Sequence, residues 1–482
     1  MTGEIYDIAI IGAGVVGCAT ARRLALAGKR ILVLEKGADI LSGASKANSA
    51  ILHTGFDAPP GSLELECMQR GYQEYLSIRQ SMNLPLLETG AMVVAWNEEE
   101  EARLPTLEAQ AHQNGVGDAH CVGQREILTR EPHLSGKARA ALLVPGEHII
   151  DPWSPFLAYA IQAIDAGGRF IFDAEVTSGA FDGSLWTIET GKGCFSARSI
   201  VNCAGLHGDT IERRLLGSAS FTIRPRKGQF AVYDKAASQW LTTIILPVPS
   251  ERTKGVVLCR TAFGNVLIGP TAEEQEDRSL AAVTEPELKI LLSRAEVMLP
   301  PLRDMPVTAL YAGLRPATEE KYYRIRHEPN QNWLTIGGIR STGLTGSLGL
   351  AQHAARLLLG QADLQTARAA PPHMPNLAEH LPRDWQTPGY GEIVCHCEMV
   401  TRREVESALA GSLPPGDPGG LKRRTRCTMG RCQGFNCLGR LAELTAGWMP
   451  HPFPGGAAGT HEGRAAAGTT SVIPDSLGYP GE

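Results

Sequence analysis

Two groups of residues in this chain have the types and spacing to do chemistry. Toward the C-terminus, Cys395-x-Cys397 and Cys432-x4-Cys437 place four thiols in two close pairs on one short unit. That donor set suits an all-cysteine zinc site or a 2Fe-2S centre, because metal–sulfur bonds help so small a unit fold. Cys427 repeats the x4 spacing one step earlier, so it either replaces a ligand or is a buried thiol beside them. The flanking run Lys422-Arg423-Arg424-Thr425-Arg426 either offsets the negative charge of a thiolate-bound cluster or is a solvated helix end. At the other end of the chain, Asp7-Ile8-Ala9-Ile10-Ile11 leads into Gly12-Ala13-Gly14-Val15-Val16-Gly17, a helix to about Ala27 and a strand Ile31 to Leu34 ending at Glu35. Gly12 permits the tight turn, Gly14 lets a pyrophosphate approach the backbone and Gly17 lets helix and strand pack closely. The helix N-terminus offers free N–H groups to phosphate, and Glu35 offers a carboxylate to a ribose.

The glycine fingerprint serves flavin and nicotinamide nucleotides alike. A tightly held flavin is favoured because the motif occurs once, at the N-terminus, and two later stretches suit a flavin. One is the strand Ser199 to Gly205, ending in the small residues Ala204 and Gly205. The other is the turn Gly338 to Gly346, which could aim N–H groups at an electron-rich ring edge.

The elements that must position these groups belong to a large globular chain. Its 482 residues are 43% hydrophobic and 20% charged with a formal charge of -5, enough for two or three domains and an ample core. The mild acidity leaves no basic stripe for nucleic acid, and no apolar run reaches the ~18 residues of a transmembrane helix. No secretory signal is read at the start, since the apolar stretch Ile8 to Ile11 runs straight into glycines. Eleven cysteines, an odd number unevenly spread, argue against a disulfide framework and for a reducing cytoplasm. Cys18, Cys67, Cys121, Cys194, Cys203 and Cys259 lack paired spacing and read as small buried hydrophobes.

The pattern predicts a βαβ opening, helices over Gly61 to Asn83, Pro155 to Ala166, Glu285 to Met298 and Leu348 to Leu359, and strands at Gly90 to Ala95, from Phe221 to Gly269 and at Trp333 to Ile336. Gln361 to Gly391 reads as a linker, Glu392 to Trp448 as a compact cysteine unit with a helix at Arg402 to Ala410, and Met449 to Glu482 as a flexible tail.

Several stretches carry a resemblance. They are Gly43 to Gly55, Val201 to Gly205, the Arg226-Lys227-Gly228 turn, Gly264 to Thr271, and Ala312-Gly313-Leu314-Arg315-Pro316. In the cysteine unit they are Val394 to Glu398, Arg423 to Arg426, and Met429 to Cys437. Over residues 4 to 445 the chain resembles the D-amino-acid oxidase/glycerol-3-phosphate dehydrogenase superfamily fused to a domain like bacterioferritin-associated ferredoxin. Nearest in motif are the large subunit of anaerobic glycerol-3-phosphate dehydrogenase and L-2-hydroxyglutarate dehydrogenase. Relatives often carry glycine where Ala50 stands and proline where Thr342 stands.

The resemblance implies an α/β and α+β architecture. A Rossmann-type FAD-binding domain (segments about 1–90, 150–220 and 310–360) is interleaved with a β-rich substrate domain (about 90–150 and 220–310), followed by a small helical 2Fe-2S domain at 392–448. It implies FAD contacts at Gly12, Gly14, Val15, Val16, Gly17, Glu35, Lys36, Ser45, Lys46, Asn48, Ser49, Val176, Ala204, Gly205, Gly338, Gly343, Leu344 and Thr345. It also implies a 2Fe-2S cluster on Cys395, Cys397, Cys432 and Cys437, since many relatives lack Cys427. His53 is implied beside the flavin as the base that removes a hydroxyl proton, and Arg315 as the anchor of an anionic substrate, with Lys227, Lys254 and Arg340 as weaker anchors.

The reaction expected is oxidation of glycerol 3-phosphate or a 2-hydroxy acid, with electrons leaving singly to a partner flavoprotein or a membrane subunit and then quinone. The protein is then cytoplasmic, reaches the membrane only through that partner, and could be an oligomer. An amino-acid or opine dehydrogenase is the enzymatic alternative, and an electron-transfer or redox-sensing module without turnover is the alternative of another class.

Overall fold

A computed structural model describes residues 4–249, 255–360 and 369–454, together with 456, 458 and 459. The opening βαβ unit is the centre of an eight-stranded sheet. Strand Ile5–Ile11 runs parallel to Ile31–Leu34 on one side and to Gly193–Asn202 on the other, and Arg169–Ile171, Val176–Phe181, Trp186–Thr190, Arg324–Glu328 and Trp333–Gly337 complete the sheet. Helices cover the central strands, so Ile8, Ala9, Ile10 and Ile11 are all buried and the strand reads as a continuous apolar run.

Helix Val15–Leu26 packs between Ser154–Asp165 and Gly343–Leu359, and the latter also lies on Leu63–Ile78. The last helix of the flavin-binding body begins at Gly343, five residues before the expected Leu348, because the glycines read as a turn are its first turns. Farther along this helix, close packing requires glycine. A Cβ on Gly349 would lie 2.1 Å from the carbonyl oxygen of Cys67, and one on Gly71 would lie 2.0 Å from that of Thr345. The two helices therefore touch backbone to backbone.

The second sheet has nine strands. Ile223–Tyr233 pairs with Val307–Thr318 along its whole length and with Glu273–Glu274 and Val266–Gly269 on its other side, and the sheet continues through Val257–Arg260, Ile244–Pro247, Ala91–Ala95, Ala140–Val144 and His120–Gly123. Two expectations change here. Arg226-Lys227-Gly228 lies inside a strand and not in a turn, and the segment boundary falls after Thr318, not near 310. A three-stranded sheet of Ile51–Leu52, Leu86–Glu88 and His148–Ile150 joins the two layers. Of the scattered cysteines, Cys18, Cys67, Cys203 and Cys259 are buried, but Cys121 and Cys194 are exposed. Alternation along the edge strand His120–Gly123 turns Val122 inward and Cys121 out, and Cys194 sits at a hairpin end.

The stretch expected as a linker has little regular structure, but its described part is strapped to the body. Met374 N–H donates to Met82 O and Glu379 N–H to Ala262 O, with Met374, Leu377 and Ala378 buried. Residues 361–368 lie outside the described residues.

The cysteine unit is a short hairpin, Ile393–Cys395 with Val400–Thr401, followed by helices Arg402–Ala410, Pro418–Thr425 and Leu438–Leu444. Thr401 and Glu404 form a capping box at the first of these. Its core takes in Met449 and Phe453, so the unit runs past Trp448 into the expected tail. Residues 455, 457 and 460–482 of that tail lie outside the described residues.

The helix contact gives a first prediction. Gly349→Ala forces a methyl against a backbone carbonyl that cannot rotate away, at a cost of about 1–3 kcal/mol. Urea denaturation should show the midpoint falling with an unchanged slope.

Candidate functional site

A cavity of about 620 Å³ runs from the glycine turn to the second sheet. Gly12 (φ +102°) opens it: a Cβ there would meet Cys203 O at 2.7 Å, and one on Gly17 would meet Gly12 O at 1.9 Å. Turn, helix and neighbouring strand are thus in backbone contact. Glu35 holds this corner, accepting from Ala13 N–H at 2.7 Å and Gly37 N–H at 2.8 Å. Burial raises the Glu35 carboxyl pKa, while those two N–H groups pull it back. Ser45 Oγ accepts from Val15 N–H at the helix start (3.1 Å), which ties the 43–49 loop to the glycine turn.

Of the expected cofactor residues, Gly12, Gly14, Val15, Val16, Glu35, Lys36, Ser45, Lys46, Asn48, Ser49, Val176, Ala204, Gly205, Gly338, Gly343 and Leu344 line the cavity, as does Arg315. Gly17 stands behind it as a packing residue, and Thr345 is buried one residue beyond the wall. Ala50 has φ +59°, a conformation costing a non-glycine residue about 1–2 kcal/mol, which accounts for the glycine common there in relatives. Thr342 keeps its place through its hydroxyl, bonded to Tyr323 Oη at 2.7 Å and to Glu64 Oε1 at 2.9 Å.

His53 is not part of the cavity wall. It sits between Ile51–Leu52 and the last helix, with its N–H donating to Thr345 Oγ1 at 3.0 Å and its ring partly exposed. Its Nδ1 lies 2.7 Å from Oε2 of Glu147, a fully buried carboxylate. No spacing signals that pairing, because the two residues are 94 apart and meet only through the three-stranded sheet. Phe230, Pro270, His207 and Arg278 also line the cavity without having been expected. Arg278 is fixed to Asp209 at 2.5 and 2.9 Å, and His207 Nε2 lies 2.9 Å from Lys36 Nζ.

One end of the cavity is cationic. Arg226 and Arg315 face each other across paired strands. Burial, then the charges of Arg226 and Arg340, push the Arg315 guanidinium down to about 10. Arg226 pairs with Glu274 (2.7 Å) and Lys227 with Glu273 (3.0 Å), whereas among the described residues neither Arg315 nor Arg340 pairs with a carboxylate. The free fork expected of Arg315 is partly used: Nη2 donates to Thr271 O (2.6 Å) and Lys227 O (3.2 Å) and Nε to Arg226 O (3.5 Å). A two-pronged grip from this residue alone is therefore reduced. Lys254 lies outside the described residues.

The profile of the family described as "FAD dependent oxidoreductase" (DAO) matches residues 7–357. The chain belongs to the DAO family of FAD-dependent oxidoreductases. It is 31% identical over 454 residues to the glycerol 3-phosphate dehydrogenase of Caloramator mitchellensis, covering 92% of this chain and 94% of that protein. That share leaves too few residues outside the alignment to exclude the cysteine unit. It is 30% identical over 272 residues to the L-2-hydroxyglutarate dehydrogenase of Indibacter alkaliphilus, covering 55% of this chain and 68% of that protein. The solved dithionite-reduced L-alpha-glycerophosphate oxidase of Mycoplasma pneumoniae, with FAD bound, superposes with a TM-score of 0.71 at 25% identity, covering 77% of this chain and 98% of that one.

This member of the family therefore binds FAD, and the cavity fits it. The glycine turn and helix start suit a pyrophosphate, Glu35 marks the ribose end, and the strand ends at Ala204 and Gly338 leave room for close approach. Among the described residues no helix is long and apolar enough to cross a membrane.

The four cysteines of the C-terminal unit come together in two contacts across the two motifs, Cys397 with Cys432 and Cys395 with Cys437. Among the described residues no three His, Cys, Asp or Glu side chains converge on one metal-ion position. Cys432 is held below its usual range by the N–H of Asn436, with the Cys397 thiol and the N–H groups of Gly434 and Phe435 helping against burial. Burial and the neighbouring Cys395 push Cys437 up to about 12, and burial raises Cys427 well above its usual range.

The basic run is not a solvated helix end. Arg424 makes a buried two-pronged pair with Asp39 (2.7 and 3.0 Å), and Gly416 N–H donates to the same carboxylate. Arg426 bonds Glu398 at 2.8 Å, and its guanidinium lies 3.7 Å from the centroid of the Phe263 ring. These arginines dock the cysteine unit onto the flavin-binding body, close to the loop that carries Glu35.

Removing one partner of that buried pair leaves the other uncompensated, at about 3–5 kcal/mol. Asp39→Ala should therefore expose the strap at 369–391 to limited proteolysis under conditions in which the wild-type chain stays intact.

Proposed function

We propose that this chain is a dehydrogenase that oxidises a small anionic 2-hydroxy compound, with glycerol 3-phosphate ahead of a 2-hydroxy acid. The observation carrying the reading is the cationic end of the cavity, where among the described residues neither Arg315 nor Arg340 has a carboxylate in ion-pair contact; burial and the charges of Arg226 and Arg340 hold Arg315 below its usual range, and burial and Arg226 hold Arg340 below its own against the pull of Glu64. Such a wall favours a ligand bringing its own negative charge, and a phosphate dianion brings more than a carboxylate. The activities for which the relatives are named support the same substrate class. The same wall suits the carboxylate of an amino acid or opine, so the preference for a hydroxyl over an amine substrate rests on the names of the relatives.

Bound FAD supplies the two-electron acceptor. The remaining work falls to the chain: Arg315 and Arg340 orient the anion, and His53 takes the hydroxyl proton, a role typically worth ~10² to 10⁴-fold. The four thiols of Cys395, Cys397, Cys432 and Cys437 would hold a 2Fe-2S cluster that forwards electrons singly to a partner flavoprotein or a membrane subunit. Supporting this are the all-sulfur donor set, its division into two facing pairs, which suits two irons better than one zinc, and the N–H groups turned toward Cys432. Cys427 stays outside the ligand set.

Anaerobic mixing with glycerol 3-phosphate should bleach the flavin absorbance faster than 2-hydroxyglutarate or any amino acid; bleaching by an amino acid alone overturns the substrate class. Arg340→Ala removes a charge-assisted contact of about 1.5–3 kcal/mol and should raise KM about 10- to 100-fold with a smaller change in kcat. Cys432→Ser should abolish the low-temperature electron paramagnetic signal of the reduced cluster and keep the flavin. If the signal survives that change and is lost in Cys427→Ser, the ligand set is wrong.

A further inference from the structure

The three-stranded sheet brings Glu147 under His53, and the hydrogen bonds around that carboxylate have a direction. Its Oε1 accepts from the backbone N–H of Thr54 at 2.6 Å, a donor that cannot reverse, and from the Thr54 hydroxyl at 2.8 Å. Its Oε2 faces His53 Nδ1 at 2.7 Å. The backbone N–H of His53 donates to Thr345 Oγ1, whose hydroxyl reaches Ile51 O at 3.4 Å. Two further titratable groups face Glu147. Tyr72 donates to Gly146 O at 2.8 Å and is pushed up to about 12 by burial and then by the charge of Glu147. His148, stacked on Tyr72 with centroids 6.3 Å apart, is held below its usual range by burial, against the pull of Glu88 and Glu147.

We infer that Glu147 is a positioning residue for the oxidation: it keeps the proton of His53 on Nδ1, so that Nε2 presents its lone pair to the substrate hydroxyl. The inference rests on the reading of His53 as the base. A carboxylate has no proton to donate, so its Oε2 can meet Nδ1 only where that nitrogen is an N–H, and the second ring nitrogen is then the acceptor. As the carbinol carbon gives its hydride to the bound acceptor, the hydroxyl proton passes to Nε2 and C–O becomes C=O. The imidazolium so formed lies against the Glu147 carboxylate until its proton leaves to solvent. Charge and atoms balance, and Glu147 itself exchanges no proton.

Glu147→Gln tests this, because the amide must keep its oxygen on the Thr54 N–H and so turns its NH2 toward Nδ1. The ring is then forced to place its proton on Nε2, where it cannot act as a base. With 15N-histidine-labelled holoenzyme, and the His53 resonances identified by their loss in His53→Gln, the wild-type protein should show the Nδ1–H tautomer and Glu147→Gln the Nε2–H tautomer. In anaerobic stopped flow with glycerol 3-phosphate, or with whichever 2-hydroxy acid bleaches the flavin, Glu147→Gln should slow the limiting flavin reduction at least ~10²-fold. Substrate affinity should change little, and Glu147→Asp should restore part of the rate.

An Nε2–H tautomer in the wild-type protein overturns the inference without recourse to any variant. So does Glu147→Gln with the wild-type tautomer and wild-type reduction rate. If His53→Gln itself reduces flavin at the wild-type rate, the base reading of His53 fails, and the inferred role of Glu147 fails with it. The tautomer spectra then report separately that the pair exists only as structure.

Discussion

The flavin site depends on backbone lying directly against backbone. Gly17 packs on the carbonyl of Gly12, and Gly12 on that of Cys203, with no side chain between helix, turn and strand. This contact lets the dinucleotide fold close around a pyrophosphate, because any Cβ would push the helix start away from the strand ends. The same constraint recurs where the last helix meets Leu63–Ile78, at Gly349 and Gly71. It brings Gly343 and Leu344 to the cavity wall and carries Thr345 to the backbone of His53.

Chemistry is placed at the seam between the two sheets. The β-rich layer brings Arg315 and Phe230 to one side of the cavity, the glycine fold brings the cofactor wall, and the small sheet at Ile51–Leu52 and His148–Ile150 sets His53 against Glu147. Gly313 lies so close to Ala47 that a Cβ there would come within 2.5 Å, which presses the 43–49 loop onto the substrate layer. Cationic anchor and imidazole therefore come from different layers, and a shift of the seam would separate them.

The cysteine unit is fixed to this body. The buried arginines of the basic run are spent on Asp39, Glu398 and the face of Phe263. Gly420 allows the approach, since a Cβ there would fall 1.7 Å from an Asp39 oxygen. The cysteine unit is thereby held in a fixed place against the loop that carries Asp39.

Much of this was written in local sequence. Gly12, Gly14 and Gly17, followed by a helix and a strand ending in Glu35, specify a nucleotide fold because each glycine answers a steric demand within about thirty residues of chain. The two cysteine pairs announce their unit in the same way. Helix Glu285–Met298 has the bounds expected from its periodicity. Other features had no local signature. The pairing of Glu147 with His53, the crowding of Arg226, Arg315 and Arg340, and the use of Arg424 by Asp39 join residues far apart in sequence, and only the packing of sheets decides them. Arg226 to Gly228, expected as a turn from the resemblance, is strand because it pairs with Val307–Thr318. The sequence by itself determined which cofactor fold forms and which side chains could act, because turns, caps and close contacts are short-range demands. Tertiary structure alone decided which of them meet, because burial and charge pairing depend on neighbours supplied by distant parts of the chain.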